Sequence, residues 1–340
     1  MTVTLEHRDG QVSVTEIDRG RSAIDVRLRA PEMFSPSLHC ETAYTLELIR
    51  LILEAKGPAW LCDEIARDDD PDYVLKHFEH EMRAYFEFGD LAGKRILDFG
   101  CGSGASTMCL AKMFPESDIT GVELEGDLLK VAEGRLDFYE FKNVRFLHSP
   151  SATDLPEGLG RFDLIVLSAV YEHLLPNERS AVMPRLWSLL NDDGILFLNQ
   201  TPHRYFPLEL HTTSLPLINY LPDGLTLSAA RRFSRRVDKN DSWEFLLRAG
   251  IRGATIGEIK KHLRSDGTTA ELLTPTKSGL KDRVDLWYST TNPRNHLAIK
   301  RTAMIALKAL HYLTGAAIVP ELTLAFRKQR KQFEEGGLTN

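Results

Sequence analysis

The sequence predicts an α/β fold built on a doubly wound, mostly parallel sheet, with an N-terminal extension of short strands and helices and a C-terminal lid and helical insertion. Three observations carry that reading. Between Arg95 and Gln200, short apolar runs alternate with segments whose apolar residues recur every three or four positions, the pattern of strands joined by helical crossovers. The strand runs are apolar on both faces, as they must be when helices cover a parallel sheet from both sides. The first of them runs into a glycine-rich turn, Gly100-Cys101-Gly102-Ser103-Gly104, that opens a helix.

In order, RILDFG (95–100) reads as a strand, STMCLAKMF (106–114) as a helix, DITGVEL (118–124) as a strand and DLLKVAEGRLDFYEF (127–141) as a helix. VRFLHS (144–149) and FDLIVLSA (162–169) follow as strands, ERSAVMPRLWSLL (178–190) as a helix and GILFLNQ (194–200) as a strand. Upstream, residues 1–35 alternate in the strand manner in QVSVTEI and AIDVRLRA, with Asp18-Arg19-Gly20-Arg21 as the turn. Residues 41–66 and 73–88 carry helical spacing. Downstream, Pro202, Pro207, Pro216 and Pro222 mark residues 201–241 as an irregular lid and not a packed helix. SWEFLLRAGI then reads as a helix, ATIGEI as a strand, 296–313 as a helix and ELTLAFRK as a closing strand. The expected organisation is an extension over 1–90 that caps cofactor and substrate, a core over 91–200, a lid over 201–245, and a part over 246–340 that completes the sheet with a helical insertion.

Composition sets the class. The 340 residues are 43% apolar and 26% charged, ordinary for a folded globular chain. Cys40, Cys62, Cys101 and Cys109 form no CxxC pair and no zinc spacing, which fits a reducing compartment. The N-terminus lacks the basic-then-apolar run of a signal peptide, and the apolar stretch Met304 to Val319 is broken by Lys308 and His311, so a cytoplasmic protein without a transmembrane segment is expected. The net charge of −6 hides a split: residues 201–340 hold 22 Lys and Arg against 13 Asp and Glu, leaving 20 against 35 for residues 1–200. Such a basic C-terminal part suits an anionic substrate or surface, or a solvated charged face.

The turn after the first core strand has GxGxG spacing, where a pyrophosphate seated on a helix N-terminus needs GxGxxG. Asp98 stands two positions before its first glycine, where a carboxylate faces a cationic ligand. Glu123 ends the next strand, the place from which a carboxylate accepts ribose hydroxyls. Together they ask for a positively charged nucleoside without a pyrophosphate.

DFGCGSG (98–104), VEL (122–124), SPSATDLP (149–156), FDLIVLSAVYEHL (162–174) and LNDDGILFLNQ (190–200), in this order, resemble the core motifs of the class I, Rossmann-like, S-adenosylmethionine (SAM)-dependent methyltransferases. The resemblance covers about Leu91 to Gln200. It implies SAM as cofactor, with Asp98, Gly100, Cys101 and Gly102 around its methionine part and Glu123 with Leu124 on the ribose. It also implies Ser151, Ala152 and Thr153 beside the adenine and Ser168 at the end of the fourth strand. Where many members have Gly-Asp-Ala, this chain has Pro150-Ser151-Ala152, leaving the adenine amino group to Ser151, backbone or Asp154.

Ala169-Val170-Tyr171-Glu172-His173-Leu174 is similar to the ExxEH stretch of ubiquinone-biosynthesis O-methyltransferases, with Ala169 where that pattern has its first glutamate. Losing that ligand argues against a bound metal. His173 is a candidate base, and His203, Glu209 and His211 are rivals just past the fifth strand, at the sheet edge where open α/β folds bind ligands. The expected acceptor is a small molecule, methylated on a hydroxyl oxygen of a metabolite, natural product or glycan-type intermediate. Two alternatives stand beside it. Arg231 to Arg236 and Lys260 to Arg264 could meet RNA phosphates, although Ser168-Ala169-Val170-Tyr171 lacks the signature of enzymes that methylate base amino groups, so no nucleic acid is expected. Leu297 to Val319 has some amphipathic-anchor character, which would suit a non-catalytic SAM-binding protein at a membrane surface.

Overall fold

The computed structural model describes residues 1–18, 20–30, 37–264, 267–290 and 297–330. Arg19 of the expected first turn and residue 296 of the expected late helix lie outside them.

The extension begins with an antiparallel sheet of β1 (Thr2–His7), β2 (Gly10–Asp18), β3 (Arg21–Leu28) and β4 (His39–Thr42), in that order. The reading of two strands there undercounts. TVTLEH also alternates, and it sets Val3 opposite Val14 and Leu5 opposite Val12. One face of this sheet packs on α1 (Leu46–Lys56) and α2 (Leu61–Asp69), with Ile24, Ile49, Ile52 and Leu61 fully buried. The single helical stretch expected over 41–66 is divided because Gly57 sits at φ 75° and Pro58 follows it, which ends α1 and starts a new turn. A π turn at Pro71–Leu75 then leads into α3 (Lys76–Arg83).

The main sheet follows as β5 (Arg95–Phe99), α4 (Ala105–Met113), β6 (Asp118–Glu123), α5 (Gly126–Tyr139), β7 (Val144–His148), β8 (Phe162–Ser168), α6 (Pro176–Leu189) and β9 (Leu190–Pro202). Beyond it come α7 (Asp223–Phe233), α8 (Trp243–Arg248), α9 (Ile256–His262), β10 (Thr268–Leu272), α10 (Arg283–Thr290), α11 (Leu297–Thr314) and β11 (Glu321–Arg330). Seven strands run in the order β10-β11-β9-β8-β5-β6-β7, parallel from β9 through β7 and antiparallel for β11 and β10. This is a doubly wound, mostly parallel α/β sheet. Leu97, Ile165, Leu167, Leu196 and Leu198 face one buried layer; Ile96, Leu164, Val166, Ile195 and Phe197 face the other.

Three C-terminal details correct the sequence reading. The lid holds a helix, α7, because all four prolines lie at or before its N-cap, Pro222, where the ring does no harm. ATIGEI is helical from Ile256: Ala254 makes only an isolated bridge to His203, then the Thr255 hydroxyl accepts the Glu258 amide at 3.1 Å and caps α9. And β10, which has no apolar run to announce it, pairs with β11 at the sheet edge.

Candidate active site

From β5 the chain winds out through β6 and β7, then returns to place β8 on the other side of β5. At such a reversal the loops leaving the two strands part and leave a crevice at their carboxyl ends. Here the crevice is a cavity of about 390 Å³ lined by Phe99, Gly100, Glu123, Leu124, Ser149, Ser151, Ala152, Ala169 and His173. That is within the range of roughly 300–1,000 Å³ typical of small-ligand sites. Lys56 from the end of α1 and Arg248 from α8 complete the wall.

The glycine turn is internally bonded. The Gly100 and Cys101 amides donate to the Val122 carbonyl at 2.8 and 3.1 Å, Gly104 donates to Cys101, and Gly102 donates to Glu123 Oε2 at 2.7 Å. Glu123 Oε1 takes the Leu124 and Glu125 amides at 2.7 and 2.9 Å. A Cβ on Gly100 would stand 2.8 Å from Val170, and one on Gly104 2.8 Å from Ala132, whereas one on Gly102 would point into open space. All three glycines have positive φ, so the turn is built for glycine.

Asp98 is buried at the end of β5. Its Oδ2 accepts the Ser106 and Thr107 hydroxyls, both at 2.7 Å, and its Oδ1 has no partner. Burial pushes its carboxyl up to about 6.

A buried ion network fixes the far side of the turn. Arg135 of α5 donates to the Ser103 carbonyl at 2.5 Å, to the Glu64 carbonyl at 2.7 Å, and to the carboxylates of Glu64 at 3.2 Å and Asp68 at 3.1 Å. The Ser103 hydroxyl donates to Glu64, and Tyr44 donates to Asp68 at 2.5 Å. Burial opposes both charges. At Glu64, Arg135, Lys56 and Arg67 outweigh it and hold the carboxyl at about 2; at Asp68 desolvation wins and the pKa rises. Sequence reasoning missed this network. Its signal was Arg135 itself, a charge sharing the buried stripe of α5 with Val131 and Ala132.

Residues 97–196 match the family model described as a methyltransferase domain. This stretch is a class I SAM-dependent methyltransferase domain. Similar curated proteins include an uncharacterized protein of Rickettsia prowazekii, 34% identical over 146 residues, 40% of this chain and 58% of that protein. Malonyl-[acyl-carrier protein] O-methyltransferase of Bacillus cereus is 32% identical over 143 residues, 41% and 50% of the two chains. Ubiquinone biosynthesis O-methyltransferase of Psychrobacter arcticus is 29% identical over 131 residues, 37% and 48%. The match thus spans about half the length of these relatives.

SAM is the cofactor of a methyltransferase domain of this class, and the residues present fit it. Asp98 Oδ1 lacks a partner and so could accept from an ammonium, but it is closed to solvent just behind Phe99 and Gly100, which line the cavity where Asp98 does not. A carboxylate has about four lone-pair positions, and Glu123, which lines the cavity, uses three, leaving capacity for a ribose hydroxyl. The amides of Gly100, Cys101, Gly102 and Gly104 are all spent on the Val122 and Cys101 carbonyls and the Glu123 carboxylate. Ser151 and Ala152 line the cavity directly; the Ser151 hydroxyl also donates to Asp154 at 2.8 Å. Cys101, Thr153 and Ser168 do not line it: Cys101 is buried in the turn, the Thr153 amide donates to the Ser151 hydroxyl, and Ser168 ends β8 opposite Asn199.

The methyltransferase domain carries a second cluster where β8 ends. Ala169 adopts φ 53°, a strained value for a residue with a Cβ, and the chain turns sharply into Tyr171–His173. Glu172 is fully buried, bonded through Oε2 to the Thr201 hydroxyl at 3.0 Å, with Oε1 unpartnered. Burial raises its carboxyl to about 8, so it carries a proton at neutral pH. His173 Nδ1 lies 2.6 Å from the Arg248 carbonyl. A carbonyl only accepts, so Nδ1 holds the hydrogen and Nε2, 3.7 Å from Glu172 Oε1, holds the lone pair. The His211 ring is 5.6 Å from that of His173, and burial lowers the pKa of both. Ligand atoms of Glu172, His173 and His211 lie within 4.8 Å of one another, the one metal-type grouping among the described residues. The lid thereby brings a third candidate ligand to the Glu172-His173 pair, a convergence that one-dimensional spacing does not reveal.

The remaining lid candidates are placed differently. Glu209 is buried, and its carboxylate accepts the His211, Thr212 and Thr213 amides and the Thr213 hydroxyl at 2.5–2.9 Å, so it shapes the loop that carries His211. His203 Nδ1 accepts the Tyr205 amide at 3.0 Å. His203 and His211 line a small second cavity with Phe206, Ile251 and Arg252, apart from the wall that holds His173.

Proposed function

We propose that this chain is a SAM-dependent methyltransferase that methylates a hydroxyl oxygen of a small molecule. What supports the oxygen reading is the neutral His173 with its Nε2 lone pair at the wall of the cofactor cavity. SAM supplies a methyl group already activated by its sulfonium, so the protein has to orient the acceptor, exclude water and take up one proton.

Each task has residues here. Asp98 and Glu123 hold the two ends of the cofactor, and Arg135 keeps the glycine turn in place through Ser103. The acceptor reaches the cavity past the lid, with His211 between the two cavities. As its oxygen takes the methyl group, its proton passes to His173 Nε2. The Arg248 carbonyl holds the ring through Nδ1, which leaves the Nε2 lone pair free, and stabilises the cation that forms. A general base of this kind contributes on the order of 100- to 10,000-fold. We assign this role to a proton relay without a metal, since Ala169 supplies no ligand beside Glu172 and His173.

The test is transfer of labelled methyl from SAM to a panel of hydroxylated small molecules, read by mass spectrometry. An O-methyl product that His173→Ala abolishes while SAM still binds supports the reading. Label recovered in RNA, or on nitrogen with His173→Ala fully active, rejects it.

A further inference from the structure

The last helix is inside out. In LAIKRTAMIALKALHYLT, at 3.6 residues per turn, Lys300, Met304, Leu307, Lys308 and His311 share the face turned to the protein body, where Met304 and Leu307 meet the core and Lys308 pairs with Asp282 and Asp285 at 3.3 and 2.5 Å. The opposite face is open and mostly apolar: Ile299 is 68%, Ile305 58%, Leu313 79% and Tyr312 90% exposed, with Thr302, Ala306 and Ala309 between them. A helix of an ordinary globular surface does the reverse. An exposed apolar face of this kind is a candidate interaction surface.

Size and charge choose the cover. Eighteen residues make a helix roughly 27 Å long. One face of it offers at most a few hundred Å², well short of the about 800 Å² per partner that a stable protein interface needs. A bilayer sets no such minimum. The helix has no acidic residue, and of its basic ones Lys300 and Lys308 face the protein while Arg301 lies exposed at the edge of the open face. Apolar side chains entering the acyl boundary, arginine at the headgroups and an exposed tyrosine beside them are the attributes of an interfacial helix. Among the described residues no helix is long and apolar enough to cross a membrane.

We propose that α11 lies flat in the interface of an anionic lipid bilayer and docks the catalytic sheet against it. The test is co-sedimentation of the full chain with vesicles of phosphatidylcholine alone or mixed with phosphatidylglycerol, with light scattering in parallel. The wild type is expected to pellet with the mixed vesicles and to be released by salt. Ile305→Asp and Leu313→Asp should each weaken binding at least tenfold. Arg301→Glu should weaken it only at low salt, and all three variants should keep the wild-type circular dichroism and affinity for S-adenosylhomocysteine. Failure to pellet with either vesicle overturns the proposal, as does equal binding to the uncharged vesicles. So does a wild-type dimer that Ile305→Asp makes monomeric, which would make the cover a second copy.

Discussion

The Gly102 amide donates to Glu123 Oε2 over 2.7 Å, so the turn that follows β5 is closed by the acid that ends β6. One carboxylate thus shapes the glycine turn and lines the cavity. Glu123→Ala leaves the Gly102, Leu124 and Glu125 amides without their acceptor and is expected to weaken S-adenosylhomocysteine binding by about 10- to 100-fold, read by calorimetry. Wild-type affinity in that variant would show the turn to be set by other contacts.

Arg135 should matter for folding more than for chemistry. Arg135→Met strands Glu64 and Asp68 as buried carboxyls and is expected to cost about 3–5 kcal/mol of stability in urea denaturation. A loss under about 1 kcal/mol would mean that the network rearranges around the vacancy.

Glu172 gives a pH signature to stability. Its carboxyl titrates near 4.5 when exposed and at about 8 when folded, so the folded state holds the extra proton between those values. Its contribution is complete below pH 4.5 and is lost as pH rises to about 8, at up to about 1.4 kcal/mol per pH unit. Glu172→Gln keeps the Thr201 contact and has no proton to lose, so its stability relative to wild type should rise over that window. Parallel curves for the two proteins would place the Glu172 proton elsewhere.

Turnover separates the histidines. His173→Ala should lower kcat by on the order of 100-fold or more and leave S-adenosylhomocysteine affinity intact. His211→Ala should lower it less, and Glu209→Gln should act through the His211 loop. With His173 held below the usual histidine range by burial, the acid limb of the wild-type rate profile falls below that range too. Activity should survive prolonged chelation; loss on chelation with recovery on adding a divalent cation would convert Glu172, His173 and His211 into a metal site.

How much of this was legible in the sequence follows from which signals are local. The core strands and the glycine turn between β5 and α4 were readable because strand period and turn chemistry are encoded within a few residues of one another. The convergence of His211 on His173 was not, since it depends on a lid whose path is set by packing of α8 and by Glu209 tying down its own loop. Arg135 was hidden because its partners, Glu64 and Asp68, come from an extension that shares no motif with the core. Helix α9 was misread because Ile256 and Ile259 satisfy a strand pattern as well as a helical one, and the Thr255 cap decided between them.

The central claim is a pocket for a cationic nucleoside, and Asp98 tests it most directly. Calorimetry of SAM binding across pH should show one site whose affinity falls as Asp98 is protonated below about pH 6, and Asp98→Asn should bind weakly with no such dependence. No heat from SAM or S-adenosylhomocysteine at any pH, with NADH binding in its place, would contradict the account.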